Sequence, residues 1–546
     1  MNAPSATPPK REETNVVETV QSLVVAFALS MAVRSFVTEG FVIPTGSMGP
    51  TLMGQHARLQ SKATGVEFPV DSGPAFEMYR YFGDQVVKQQ RPIFDPMLSH
   101  ERPVGALENG QIMQSSRMGD RVLVLKFLYP FHEPERWDVV VFKNPTDPVG
   151  DSMNYIKRLV GLPNEQFVII DGDIFTAPLG STDPAAFVIQ RKPAFIQDSI
   201  WRNVYDSDFE PTDPAALAKM WNRPWPGTPF RSVASEPAQF AQGNARAWSK
   251  PAGRATLEWD HSILSIDDWA AYNMWRDRLP GPYPVSDVRV SAALDSADPA
   301  AVRASLTIAA RKRNFVFSLA DGTLTLKIVF TESGDVEMTR EFPFEVPSAG
   351  APFDLDFVHV DQRLEVRMNG ESIGVLDYVF PSVDARLEAS LPGRTVEDFL
   401  RNPMGATAPP TIVRWEFDGA PVTLRAVRVD RDIFYRSVAL APREQGALAT
   451  DQRDGLGFGC DPHHPAQLQA DQFLMLGDNS PASRDSRLWG AAHELVASRY
   501  GEGAPFVVPR ELLLGKAWSV YFPAPVSPGF GLPAIVPDFG RLRFIR

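Results

Sequence analysis

From Val16 to Val37 the chain is apolar with few interruptions. Leu23-Val24-Val25-Ala26-Phe27-Ala28-Leu29 forms the centre, Gln21, Ser22 and Ser30 dilute it, and Arg34 lies near the far end. About 22 residues at 1.5 Å each give a helix of about 33 Å, enough to cross a bilayer. Arg34 would then reach for the interface. Ala26-Phe27-Ala28 and Ser30-Met31-Ala32 also fit a small-x-small leader cleavage site, so an uncleaved anchor is preferred with a cleaved leader as its rival. Lys10 and Arg11, offset by Glu12 and Glu13, orient the segment with its N-terminus inside. Residues 1–15 are polar and read as a disordered tail.

Beyond residue 117 the pattern changes to β-branched runs. Met118–Phe127 (entered by a turn), Arg136–Lys143, Asn154–Pro163 and Gln166–Ile170 read as strands, the last entering a hairpin at Asp171-Gly172. Residues 54–117 carry little periodicity and read as an insertion of loops and short elements. Seven of the eleven tryptophans lie between Trp201 and Trp275, amid Pro, Asp and Ala; packing is the simpler explanation for them than a ligand platform. From 285 to 436 apolar residues alternate at period two. Phe353, Leu355 and Phe357 share one face, and Val413, Trp415 and Phe417 share another. Turns recur at Asp321-Gly322, Gly334-Asp335, Asn369-Gly370 and Asp418-Gly419, which together predict a β-sandwich. Its strand texture resembles concanavalin-like (laminin-G-type) modules. Residues 437–470 are polar and read as a linker, and strands resume at Phe473–Leu476 and Gly515–Phe522.

Composition narrows the function classes. A chain of 546 residues implies two or three units. The net charge of −12 argues against a nucleic-acid partner. Cys460 is the single cysteine, which excludes an intramolecular disulfide or a Cys-based zinc site. His463-His464 reads as a loop pair, and neither a metal nor a cofactor is expected.

The candidate chemistry lies at Ile43-Pro44-Thr45-Gly46-Ser47-Met48-Gly49-Pro50-Thr51-Leu52. Glycines on both sides of Ser47 allow a tight turn that holds a hydroxyl clear of its neighbours. A serine is a weak nucleophile until a base takes its proton. Lys157 lies among apolar residues in a predicted strand. Burial would favour its neutral amine and make it a usable base.

These stretches resemble bacterial type I signal peptidases. Residues 43–52 are similar to the family's serine box, and Tyr155-Ile156-Lys157-Arg158-Leu159-Val160-Gly161-Leu162-Pro163 to its lysine box. Gly477-Asp478-Asn479-Ser480-Pro481-Ala482-Ser483-Arg484-Asp485-Ser486-Arg487 is similar to its third box, with Ser480-Pro481-Ala482 where many members are more polar. The resemblance spans roughly 16–53, 118–176 and 471–523. It implies Ser47 as nucleophile and Lys157 as general base, with the Ser47 N–H and the Thr45 hydroxyl as oxyanion hole. It further implies Ser483 orienting the lysine, Asp485 and Arg487 bracing the site, and Arg158 joined to Asp478. Ile43, Leu52 and Ile156 would line a shallow pocket suited to an Ala-x-Ala site. The implied partners are signal peptides of exported preproteins and the lipid bilayer, with the secretion translocon as a further candidate. The implied location is the inner membrane, with the catalytic part on its extracytoplasmic face. Inserts of this length resemble those of planctomycete members, whose first insert carries Cys pairs that this chain lacks.

The expected fold is mostly β: a signal-peptidase-type catalytic domain behind one N-terminal transmembrane helix, with a large inserted sandwich. The expected division is tail 1–15, anchor 16–37, catalytic parts 38–53, 118–180 and 471–546, small insertion 54–117, Trp-rich segment 181–284, sandwich 285–436 and linker 437–470. Two other readings share these features. One is a membrane-anchored sandwich that binds carbohydrate or protein beside a relic peptidase. The other is a Ser/Lys protease of different substrate, such as a self-cleaving regulator.

Overall fold

A computed structural model describes residues 16–61, 63–71, 77–82, 85–90, 95–98, 117–149, 154–211, 213, 228–242, 246–270, 272, 281–402, 407–440, 455–500, 506–525 and 536–546. The tail expected at 1–15 lies outside them. An α-helix runs over Val16–Ala32 and continues as a π-helical turn over Val33–Val37. The whole 22-residue stretch is long and apolar enough to cross a membrane, and none of it is buried against the rest of the chain.

The β-branched runs assemble as one antiparallel eight-stranded sheet. Its order is Thr38–Val42, Arg121–Leu125, Leu513–Phe522, Val139–Lys143, Asn154–Gly161, Gln472–Leu476 and Val508–Pro509, with Arg543–Phe544 added beside Leu513–Phe522. Segments far apart in sequence thus become neighbours. Asn154–Gly161 lies between Val139–Lys143 and Gln472–Leu476, in a register that sets Lys157 opposite Val140 and Arg158 opposite Leu476. A second sheet orders Val188–Ile189, Asp173–Pro178, Glu165–Ile170 and Ala466–Leu468. Its turn at Asp171-Gly172 has both residues at positive φ, and an added Cβ at Gly172 would overlap the Phe434 ring.

The sandwich is larger than the period-two region predicts. One sheet orders Ala241–Gln242, Ala247–Lys250, Val422–Arg431, Val288–Asp295, Phe353–Val360, Arg363–Met368 and Glu371–Asp377, with Arg202–Asp206 also on Val422–Arg431. The other orders Phe230–Ser232, Ala255–Trp259, Ile412–Gly419, Val302–Ala310, Arg313–Ala320, Thr323–Phe330 and Val336–Pro343. The Trp-rich segment is therefore no separate unit. Its short strands extend both sheets, because Trp248 and Trp259 are buried in the same core as Trp415 and Phe357. Burying such large rings supplies the driving force that short strands lack by themselves.

The expected linker at 437–470 is also structural where described. Leu440, Leu456 and Cys460 are buried, and Ala466–Leu468 pairs with Glu165–Ile170. Within 54–117, the hairpin His56–Gln60 and Glu67–Asp71 closes over its own small core of Leu59, Phe68, Val70 and Met97.

Charged side chains fasten the sandwich to the small sheet. Arg311 Nε lies 2.5 Å and Arg386 Nη1 2.5 Å from Asp171, while Arg386 also reaches Asp173 at 3.2 Å. Lys192 meets Asp361 at 2.5 Å and Asp432 at 2.9 Å. All of these groups are buried, where each charge needs its partner.

Candidate active site

Chain reversal after Val42 brings Ser47 onto the sheet. Gly46–Met48 forms a single 3-10 turn entered from extended backbone at Thr45. Met48 is buried beneath it with Ile43, Leu52, Val122, Val141 and Ile156 in one apolar cluster. This anchors the turn from below and leaves the serine hydroxyl upward, facing the strand that carries Lys157. Lys157 Nζ donates to Ser47 Oγ at 2.5 Å.

Lys157 is 4 % exposed. Its pKa falls from 10.5 to about 8 because burial disfavours the ammonium; Asp485 and Asp478 pull the other way, and Arg487 assists the fall. A neutral fraction is thus present near physiological pH, and in that form the amine stands within hydrogen-bond reach of the hydroxyl whose proton it would take.

Two buried bidentate ion pairs hold the surroundings. Arg158 Nε and Nη2 meet Asp478 at 2.8 and 2.7 Å. Arg487 Nε and Nη2 meet Asp485 at 2.8 and 2.7 Å. Burial opposes ionisation of both carboxyls, but the guanidiniums outweigh it and hold them below the usual range. Each pair also grips backbone. Asp485 accepts the Gly477 N–H, Arg487 donates to the carbonyls of Arg436 and Ser480, and Arg158 donates to the Trp137 carbonyl. The pairs therefore act as braces for the turn that follows Leu476 rather than as surface ion pairs.

That turn clamps the serine turn directly. The Asn479 N–H donates to the Ser47 carbonyl at 3.1 Å, and Asn479 Nδ2 to the Gly46 carbonyl at 2.9 Å. A Cβ at Gly477 would stand 2.5 Å from the Ser47 carbonyl oxygen, so only glycine allows this approach. Thr51 Oγ1 donates to Asp478 at 2.6 Å.

The structure departs from the expected roles at Ser483. Ser483 is buried, but its Oγ has no hydrogen-bond partner among the described residues. The expected contact with Lys157 is not formed, because the hydroxyl packs onto Gly477, where a Cβ would come within 2.2 Å of it. Ile43, Leu52 and Ile156 are 2, 0 and 9 % exposed and form a packed floor, with Ile156 showing the most surface. Thr45 is exposed beside the turn.

Sequence reasoning left Asn479, Thr51, Arg202 and Tyr272 unassigned. The first two stand inside the quoted boxes. The other two come from the large insert, whose sequence carries no signal for them. Tyr272 presses its ring on the serine turn: a Cβ at Gly46 would lie 1.8 Å from Tyr272 Cε1, and one at Gly49 3.1 Å from Cδ1. Arg202 Nη2 donates to Thr51 Oγ1 at 2.9 Å.

Among the described residues, Asp173, Asp287 and Asp361 are the three carboxylates close enough to share a cation. They lie in the junction where Arg386 and Lys192 already supply positive charge, so the cluster reads as part of the domain fastening.

Comparison with known proteins finds partial matches to this chain. The family "Signal peptidase, peptidase S26" matches residues 105–177. A signal peptidase I of Pseudomonas aeruginosa is 31% identical over 97 residues, covering 14% of this chain and 33% of the relative. One from Rickettsia typhi is 25% identical over 169 residues, covering 30% and 46%. The chain spans under half the length of these curated relatives. Among solved structures, sheep galectin-11 in complex with glycerol matches at 14% identity over 27% of this chain and 92% of that one, with a TM-score of 0.18. The carbohydrate-binding module CBM66 of Bacillus subtilis matches at 9% identity over 37% and 96%, with a TM-score of 0.21. The family match covers the strand that carries Lys157, while the turn that carries Ser47 lies outside it.

Proposed function

We propose that this protein is a membrane-anchored serine endopeptidase that removes N-terminal signal peptides from exported preproteins, with Ser47 as nucleophile and Lys157 as general base. The observation that carries the reading is the buried Lys157 amine on the Ser47 hydroxyl. Lys157 Nζ takes the Ser47 proton as Oγ attacks the scissile carbonyl. The oxyanion is held by the Ser47 N–H and the Thr45 hydroxyl, at charge that exists only in the transition state. Collapse of the intermediate breaks the C–N bond, and Lys157 returns its proton to the departing amine. A water then gives a proton to Lys157 as its oxygen attacks the acyl carbon; the Oγ–C bond breaks, Lys157 returns that proton to Ser47 Oγ, and the signal peptide leaves with a free carboxyl end.

The exposed apolar helix at 16–37 supports tethering at the inner membrane, with the catalytic sheet on the outer face. Substrates held in the same bilayer meet the site at raised effective concentration. Ile43, Leu52 and Ile156 form the floor for the small residue before the scissile bond. The bilayer and the translocon are the partners this location supplies.

The test is cleavage of a lipid-embedded preprotein with an Ala-x-Ala site. Wild type cleaves it, and Ser47→Ala and Lys157→Met each lose at least about 1,000-fold in rate, as expected for members of one catalytic unit. A folded wild type with no cleavage overturns the reading.

A further inference from the structure

Besides the Tyr272 ring, the large insert reaches the catalytic network through the Arg202 guanidinium. Arg202 begins the strand Arg202–Asp206, which pairs with Val422–Arg431 of the sandwich. Its guanidinium leaves that sheet and donates to Thr51 Oγ1, whose own proton goes to Asp478, the partner of Arg158. Thr51 is four residues from Ser47, and Asp478 is next to the Asn479 that clamps the serine turn.

We propose that Arg202 is a positioning residue of the Ser47–Lys157 site, supplied by the insert and acting through Thr51 and Asp478. The inference rests on the Ser/Lys reading of the site. Its electrostatic consequence follows from which charges face which. Lys157 is faced by Asp485, Asp478 and Arg487, with the Tyr155 ring centroid 5.3 Å from its nitrogen. Arg202 is faced by Asp478, Arg431, Arg158 and Tyr435. Arg202 therefore offsets part of the Asp478 charge that favours the Lys157 ammonium. Without it, the lysine holds its proton more tightly and the base is available only at higher pH.

The experiment is the pH dependence of kcat/KM for preprotein cleavage in the full-length, membrane-reconstituted protein. The alkaline-going limb of Arg202→Gln moves up by about half a unit or more relative to wild type, and activity recovers at high pH. Arg202→Lys keeps the charge, and its limb stays with wild type. A structural role alone lowers activity evenly and leaves the limb in place, which overturns the proposal. Arg202→Met repeats the test with the stem retained if the glutamine variant does not fold. Wild type lacking cleavage, or cleavage that survives Ser47→Ala, is the failure of the Ser/Lys reading and is seen before any Arg202 variant is compared.

Discussion

Lys157 bears the cost of the site in stability. Its amine titrates near 8 in the fold against 10.5 unfolded. Below the lower value both states carry the charge, and the full burial penalty of about 3 kcal/mol weighs on the fold. Between the two values the unfolded chain holds the extra proton, so stability rises with pH across that window, and above it the penalty is gone. Lys157→Met is therefore expected to stabilise the protein at pH 7 by up to about 3 kcal/mol in urea unfolding, with the gain fading toward pH 10.5. The ion pairs behave oppositely. Arg158→Ala strands Asp478 in a buried site and should cost about 3–5 kcal/mol. Arg303→Ala removes the pair with Asp321, whose side chains are 59 and 70 % exposed, and should change stability by less than about 0.5 kcal/mol. Ser47, Lys157, Asp485 and Arg487 could be picked out of the sequence because the stretches that carry them resemble the boxes of type I signal peptidases. The idle Ser483 hydroxyl could not, since its direction is set by the close approach of Gly477. Arg202 and Tyr272 were invisible for a different reason: an arginine and a tyrosine in an irregular insert look like any others until the chain folds back.

At the scale of elements, the serine turn is pinned between the Gly477–Asn479 turn and the Tyr272 ring. Gly46→Ala should abolish most activity, because its methyl would overlap Tyr272. Adding Tyr272→Ala vacates that space, and the double variant should recover more than about tenfold over Gly46→Ala in kcat/KM. No recovery would mean that the ring does not set the turn. The long strands were readable from period two and β-branching, as in Asn154–Gly161 and Ile412–Gly419. The strands of the Trp-rich segment were not. Several are only two to five residues long, too short to display a period, and they form by pairing with Val422–Arg431, with Ile412–Gly419 or with one another. The segment around Cys460 hides likewise: its polar composition suggests a connection, while Leu456, Cys460, Ala466 and Leu468 are buried.

For the whole molecule, the insert is structurally continuous with the catalytic sheets. Helices Val383–Ser390 and Val396–Arg401 bury Val383, Leu387, Val396 and Phe399 in the same cluster as Phe167, Ile169 and Leu474. Replacing residues 202–431 with a short flexible linker would expose that face and remove the Arg311 and Arg386 partners of Asp171 and the Asp361 partner of Lys192. The shortened chain should show no cooperative urea transition and should bind a hydrophobic dye, where a dispensable insert would leave a two-state protein. Sequence patterning indicated that a sandwich was present, but not that it is bound into the site, because that binding is made by single side chains crossing between sheets.

The central claim is that Lys157 acts as the base for Ser47, and the most direct measurement is the pH profile of kcat/KM for an Ala-x-Ala preprotein cleaved by the full chain in lipid. The account predicts one rising limb centred near pH 8, with Ser47→Ala and Lys157→Met inactive throughout. A limb near 10.5, the value of a solvent-exposed lysine, or cleavage that survives Lys157→Met, would contradict it.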